Sequence, residues 1–197
     1  KRNPSNIWLK LVILVPIYLY STLLSSQQFS YAELKDCKKF KSIEDGLKNP
    51  DSVFVLNLSK NKLREIPKEI SLFKNLHILN LSKNKLSSID STIYFPKNIL
   101  EINLSKNFLE TIPEAILSIK SLQRLILNQN DITSIPENIA QLENLVYLDL
   151  WSNNISNVSE NIKYLKRLDE MDLRVILFSA EEKERIKQLL PNSKVFF

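Results

Sequence analysis

The stretch Leu122–Asn144, LQRLILNQNDITSIPENIAQLEN, decides the fold of this 197-residue chain. The intervals between its apolar residues match neither the two-residue period of a strand nor the 3.6-residue period of a helix throughout. They fit the pattern L-x-x-L-x-L-x-x-N-x-L, with Asn130 at the ninth position. This pattern predicts a short strand followed by a return arm, a unit that buries its apolar face only by stacking against copies of itself.

Copies of the unit recur every 23 residues on both sides of this stretch. The six units begin at Val53, Leu76, Ile99, Leu122, Leu145 and Leu168. Position 9 holds an asparagine in units 1 to 5, namely Asn61, Asn84, Asn107, Asn130 and Asn153, and Ile176 in unit 6. We expect these amides to pair with backbone groups of the turns and to join each unit to the next as a structural ladder. The predicted fold class is an α/β solenoid, a curved right-handed stack with a parallel β-sheet on its concave side.

The remainder of the chain predicts two caps and an export segment. We divide the chain into a signal peptide or N-terminal membrane anchor (1–30), an N-terminal cap (31–52), the six units, of which the last is degenerate (53–175), and a C-terminal helix–strand cap (176–197). Ser42 and Ser179 each precede acidic residues and are predicted to begin the cap helices. Pro191 is expected to end the second helix before a last short strand.

Residues 1–30 combine a basic start with an apolar run, Leu11–Leu24. This order is typical of a cleaved export signal. A retained membrane anchor remains open, because residues 7–29 are long enough to span a bilayer if Lys10 reaches the interface. Both alternatives predict an exported protein, whether secreted, periplasmic or on the cell surface.

Composition argues against several classes of function. The single glycine excludes glycine-rich phosphate loops. Three of the 27 basic residues lie in 1–30, so the rest nearly balance the 22 acids, and we expect no nucleic-acid partner. Cys37 is the only cysteine, which excludes an internal disulfide and suggests a small buried hydrophobe. His77 has no neighbour at ligand spacing, so no metal site is expected.

The sequence also lacks the features of a catalytic site. Neither G-x-S-x-G nor H-E-x-x-H occurs. Asp149 and Asp172 lie one unit apart on an open surface, without the apolar pocket that would tune a general acid. We therefore predict a non-enzymatic protein with no catalytic residues and no cofactor.

Three stretches carry a resemblance to a known family. They are GLKNPDSVFVLNLSKNKLREIPKEI from Gly46 to Ile70, the unit form LxxLxLxxNxLxxIPxxIxxLxN, and the ending AEEKERIKQLLPNSKVFF. The array resembles bacterial leucine-rich repeat proteins with uniform 23-residue units, which are abundant in spirochaetes. The resemblance implies an exported or surface-exposed binding protein without enzymatic activity. Unit 2 departs from the form, because Asp90 and Pro96 replace the usual proline and leucine, and we expect a distorted return arm there.

Positions 3, 5 and 7 of each unit are predicted to face away from the core, on the concave surface. In units 4 to 6 this surface includes aromatic and charged residues of the types that dominate protein interfaces. The candidate partner-binding residues are Arg124, Ile126, Tyr147, Asp149, Trp151, Glu170, Asp172 and Arg174. We predict that they bind a protein, and a host protein is one candidate. The alternative for Trp151 is that its ring lies flat on the sheet and only shields it.

Position 8 of units 1 to 3 forms a secondary basic column of Lys60, Lys83 and Lys106. Its default interpretation is solvated charge at the sheet margin, because repulsion between lysines one unit apart is modest in water. The alternative is an anionic ligand such as an acidic polysaccharide or a lipid headgroup. An alternative function follows, an envelope-anchored scaffold that binds cell-wall, polysaccharide or membrane components.

Overall fold

The computed structural model describes residues 31–197, without the side chains of Ala32 and Lys35. The predicted export signal or anchor in 1–30 lies outside the described residues. In the described part the strands are Lys39–Phe40 (β1), Val55–Asn57 (β2), Ile78–Asn80 (β3), Glu101–Asn103 (β4), Arg124–Ile126 (β5), Ser134–Ile135 (β6), Tyr147–Asp149 (β7), Asn157–Val158 (β8), Glu170–Asp172 (β9) and Lys194–Phe196 (β10). The α-helices are Tyr31–Lys35 (α1), Ile43–Leu47 (α2), Glu114–Leu117 (α3) and Ala180–Leu189 (α4).

Eight of these strands form one parallel sheet in the order β1-β2-β3-β4-β5-β7-β9-β10. Each strand of a unit pairs with the same three positions of the next unit, as Val55 with Ile78 and Ile78 with Glu101. β6 and β8 pair as a second, two-stranded sheet among the return arms of units 4 and 5. The predicted α/β solenoid with a parallel sheet is confirmed.

The core follows from the side-chain alternation along each strand. Positions 4 and 6 point inward, and Leu79, Leu81, Leu125 and Leu127 are all completely buried. The return arms close the other side of the core. Four of them contain a short 3-10 or α-helical turn that follows a proline or a serine: Lys68–Leu72, Glu114–Leu117, Glu137–Gln141 and Glu160–Tyr164. The stack therefore shares one continuous apolar interior rather than six separate cores.

Asparagine side chains bind the turns of neighbouring units to each other. Asn107 donates from Nδ2 to the carbonyl oxygens of Leu81 (3.1 Å) and Leu104 (2.9 Å), and its Oδ1 accepts from the backbone N–H of Leu86 (3.1 Å). Equivalent sets surround the other three buried asparagines, Asn84, Asn130 and Asn153. Asn61 differs from the expectation, because its side chain is exposed and makes no hydrogen bond within residues 31–197. Asn61 belongs to unit 1, and the N-terminal cap beside it offers no equivalent turn for its amide to reach.

The N-terminal cap extends the sheet and closes the end of the core. β1 adds one strand beside β2, and Ser42 begins α2 by accepting a hydrogen bond from the Asp45 N–H. Gly46, the only glycine, lies in that helix against the fully buried ring of Phe73. A Cβ atom at residue 46 would lie 2.9 Å from Phe73 Cζ, so the close contact requires glycine.

Two details concern residues singled out in the sequence, Asp90 and Ser179. Unit 2 has no helical turn in its return arm; instead Asp90 accepts hydrogen bonds from the N–H and hydroxyl of Thr92, each at 2.8 Å. At the start of α4, Ser179 accepts from the Glu182 N–H as predicted, and the Glu182 carboxylate accepts hydrogen bonds from Arg185. Within residues 31–197, no helix is both long enough and apolar enough to cross a bilayer.

We predict that Asn107→Leu lowers the free energy of unfolding by about 1–3 kcal/mol. The buried Leu86 N–H loses its acceptor, and the carbonyl oxygens of Leu81 and Leu104 each lose one of their two asparagine donors. Asn61→Leu is the matched control, and we expect it to change stability by less than about 0.5 kcal/mol. Urea denaturation of both variants measures the difference. Equal destabilisation by the two substitutions would show that the ladder contributes nothing.

Candidate functional site

Strands β5, β7 and β9 position the candidate partner-binding residues. Their register brings Arg124, Tyr147 and Glu170 into one row across the sheet. A second row contains Ile126, Asp149 and Asp172. Trp151 and Arg174 follow the ends of β7 and β9 at position 7. The structure therefore gathers all eight residues on one face of three adjacent units.

Arg124 is held by contacts within the chain. Its Nε lies 3.1 Å from Glu101 Oε2, and its guanidinium lies 4.1 Å from the ring centre of Tyr147 and 5.3 Å from that of Tyr31. The Tyr31 hydroxyl donates a hydrogen bond to the same Glu101 carboxylate. Burial, together with that contact, raises the pKa of Tyr31 to about 12. Arg124 thus contacts the Tyr147 ring, and its charge is already paired with Glu101 within the chain.

Arg174 is also paired within the chain. Its Nε and terminal nitrogen contact both carboxylate oxygens of Asp172 at 2.6–3.1 Å. Burial tends to raise the pKa of Asp172, but the hydrogen bonds and charge of Arg174 outweigh it and hold that pKa below its ordinary value. Because the guanidinium remains more than half exposed, we assign this pair little stabilising energy.

Asp149 is a buried carboxylate without an ion pair in the described part of the chain. It is 8% exposed, and it accepts hydrogen bonds from Asn128 Nδ2 and from the Trp151 N–H at 3.1 Å. Burial raises its pKa above the ordinary value. Asn80, at the same position of unit 2, accepts the equivalent N–H of Ser82 at 2.9 Å without carrying a charge. The turn therefore needs a side-chain oxygen at this position but not a carboxylate.

An open hollow of about 280 Å³ lies beside these carboxylates. It is lined by Tyr147, Glu170, Asp172, Arg174 and Phe196. Phe196 was missed from the sequence, although its place in the last predicted strand continued the same sheet; its side chain is 43% exposed. Trp151 is partly exposed at the end of β7, and Ile126 is partly buried on β5.

The segment Tyr31–Cys37, which we call the strap, covers the concave face of units 1 and 2. Leu34 is fully buried against Val55 and Ile78, which are themselves 5% and 8% exposed. The cap predicted for 31–52 was expected to cover only the end of the core. The structure shows that its first residues instead turn onto the sheet, so the apolar position-3 residues of units 1 and 2 are not a free surface.

The other residues singled out in the sequence are His77, Cys37 and the three lysines of the basic column. The His77 ring stacks on Phe54 with centroids 5.9 Å apart, its Nδ1 lies 2.6 Å from the Asn75 carbonyl oxygen, and burial lowers its pKa. Cys37, the last residue of the strap, is partly buried. Burial, and to a smaller extent the charges of Asp36 and Glu33, raise its pKa. Lys60, Lys83 and Lys106 are exposed at the ends of their strands.

Comparison with known proteins agrees with this architecture. The family model described as leucine rich repeat matches residues 74–132, and the model described as two copies of leucine rich repeats matches residues 120–164. A solved leucine-rich repeat protein of Leptospira interrogans is similar to this chain, with 28% identity and a TM-score of 0.54. The match covers 76% of this chain and 50% of that one, so this chain spans about half of its length. No curated protein matches the chain.

We predict that Asp149→Asn stabilises the fold at neutral pH relative to acid pH. A carboxyl whose pKa is raised by folding binds its proton more tightly in the native state, so its contribution to stability falls as pH rises through that pKa. The amide keeps the acceptor for the Trp151 N–H and removes this dependence. Urea denaturation of wild type and variant from pH 3 to 8 measures the effect, and parallel curves would contradict it.

The strap predicts the reactivity of Cys37. Because its raised pKa leaves less thiolate at a given pH, alkylation should be slow in the wild type. Leu34→Ala removes the buried anchor of the strap and should speed alkylation several-fold. Leu72→Ala, at a residue 52% exposed, is the control and should leave the rate unchanged. The rate with iodoacetamide between pH 7 and 9 tests this, and equal rates for wild type and Leu34→Ala would show that the strap is not docked.

Proposed function

Because the chain contains leucine-rich repeats, we propose that it is an exported, non-enzymatic recognition module that binds a protein partner through the concave face of units 4 to 6. The observation that carries the proposal is the hollow between Tyr147 and Phe196. Two aromatic rings there lie within reach of carboxylates on an open and curved surface.

The residue types on this surface favour a protein ligand. Tyrosine and tryptophan provide most of the binding energy in many protein interfaces, since they bury large areas at a low entropic cost. Tyr147 is held in place by Arg124, so its ring is preorganised before a partner arrives. Trp151 adjoins the row of acidic residues, and its backbone is fixed by Asp149.

The charge of the surface indicates which partner groups fit. Arg124 and Arg174 each form an ion pair with an acid of the chain. Glu170 lies 3.8 Å from the exposed Lys194. Asp149 has no ion-pair partner among the described residues. The surface therefore presents acceptors and negative charge beside apolar rings. A partner segment with a lysine or arginine next to an apolar side chain complements both features.

Asp149 supports a functional role because it costs stability. An asparagine performs the same backbone contact at the same position in units 1 to 3 without the desolvation cost of a buried charge. Asp149 lies on the strand next to Asp172, which lines the hollow, and a destabilising charged residue at such a place is characteristic of a binding site.

The basic start and apolar run of residues 1–30 support export. The similarity to a protein of Leptospira interrogans supports a spirochaete-type array of 23-residue units. For an exported protein of this kind, we propose a host protein as the partner.

The test captures a partner with the wild-type chain and then measures its affinity for two variants. Trp151→Ala should weaken binding at least tenfold, because it removes a central ring of the surface. Tyr164→Ala removes a ring that is 52% exposed on a return arm and should leave the affinity unchanged. Unchanged binding by Trp151→Ala, or equal losses in both variants, would contradict the proposal.

A further inference from the structure

A second surface lies at the strand ends of units 1 to 3. Its basic rim consists of Lys60, Lys62, Lys83, Lys85 and Lys106, all exposed. No carboxylate of residues 31–197 lies within 4.0 Å of these five ammonium groups. Two of the five, at position 10, were not part of the column expected from sequence. The rim ends at unit 4, where Gln129 and Asp131 hold the equivalent positions.

The backbone aligns these lysines. Lys60, Lys83 and Lys106 have φ values of 63°, 58° and 57°, in the left-handed region. Each donates its N–H to the next unit, at 2.8–3.1 Å from the carbonyl oxygens of Ser82, Ser105 and Asn128. Since the same conformation repeats on strands about 4.8 Å apart, the side chains leave the rim in parallel. The ammonium groups of the rim are thus held side by side, and no carboxylate of residues 31–197 pairs with them.

An array of amide donors lies beside the rim. The Oδ1 atoms of Asn57, Asn80 and Asn103 accept the backbone N–H two residues later, at 2.9–3.0 Å. Their Nδ2 groups donate to no acceptor in residues 31–197, and none of them is buried without a partner. These three amides therefore face solvent as donors, one per unit. Lysines have no acceptor atoms, so rim and amides together form a surface rich in donors.

From this juxtaposition we propose that units 1 to 3 bind a linear anionic polysaccharide along the rim. Repeated carboxylate or sulfate groups would pair with the ammonium groups, and the hydroxyl and ring oxygens between them would accept from the asparagine amides. The site is separate from the surface of units 4 to 6 and does not depend on the proposed function.

Polysaccharide fits this surface better than single-stranded nucleic acid. Binding of unpaired bases relies on aromatic side chains on which the bases stack. At positions 5 and 7 of units 1 to 3, beside the rim, the residues are Asn57, Ser59, Asn80, Ser82, Asn103 and Ser105, and none of these is aromatic. The position-3 residues Val55 and Ile78 lie under the strap. The partly exposed amides of Asn57, Asn80 and Asn103 suit the hydroxyl-rich edge of a sugar chain.

The test uses the full chain and measures affinity for heparin, with neutral dextran, poly(dT) and anionic phosphatidylglycerol vesicles as comparison ligands. The triple variant Lys60→Gln, Lys83→Gln, Lys106→Gln should weaken heparin binding at least tenfold. The control Lys74→Gln, Lys97→Gln, Lys166→Gln makes the same charge change at exposed positions outside the rim and should change it less than twofold. Added salt should weaken wild-type binding, because it screens exposed charges.

A second variant tests the row of asparagines without disturbing the fold. Asn80→Asp keeps the acceptor for the Ser82 N–H, as Asp149 and Asp172 do at the same position at 3.1 Å. It replaces the amide donor by a carboxylate and should weaken heparin binding at least threefold with an unchanged circular dichroism spectrum. No binding by wild type, equal losses in the two triple variants, or tighter binding of poly(dT) or vesicles than of heparin would overturn the proposal.

Discussion

The hydrogen bonds of the buried asparagines are the constraint on which the rest of this structure depends. Strands of three residues leave the turns after them without sheet partners, and a buried backbone group without a partner costs free energy. Each of Asn84, Asn107, Asn130 and Asn153 satisfies carbonyl groups of two units and an N–H of the preceding one. The ladder therefore fixes the turns while leucines fill the core, which frees positions 3, 5, 7 and 8 to vary.

Position 5 varies between asparagine and aspartate without a change in its backbone contact. Asparagine in units 1 to 3 and aspartate in units 5 and 6 accept the same backbone N–H two residues later. The backbone contact is identical, but the remaining atoms differ: an amide presents donors, whereas a carboxylate presents acceptors and charge. Together with the lysines of the rim, this divides one continuous face into a donor-rich half and an acidic, aromatic half. The scaffold thus presents two surfaces of different chemistry.

Periodicity made most of the fold predictable. The strands, their register, the return arms and the two cap helices follow from a pattern that repeats at one spacing, and Asp90 correctly indicated the irregular arm of unit 2. The strap was not predictable, because Leu34 contacts Val55 and Ile78 only after the sheet exists. The repeat pattern also contains no information about where α1 of the strap lies on the sheet.

The positions of the candidate residues on the sheet were predictable, but the contacts between their side chains were not. Counting positions placed the candidate residues on adjacent strands, yet the pairing of Arg124 with Glu101 and of Arg174 with Asp172 required side-chain geometry. The left-handed backbone at Lys60 likewise has no signal in the residue type, since glycine or asparagine is the usual occupant of that region. Such local conformations are imposed by the stack and not by the residues that adopt them.

Amide hydrogen exchange of the wild-type chain, followed by NMR, tests the ladder most directly. The N–H groups of Leu86, Leu109 and Ile132 lie in turns but donate to asparagine oxygens at 3.0–3.1 Å. They should exchange as slowly as the strand amides, while the N–H of Lys62, which has no acceptor in the described part of the chain, should exchange rapidly. Exchange of all four at the same rapid rate would contradict the account.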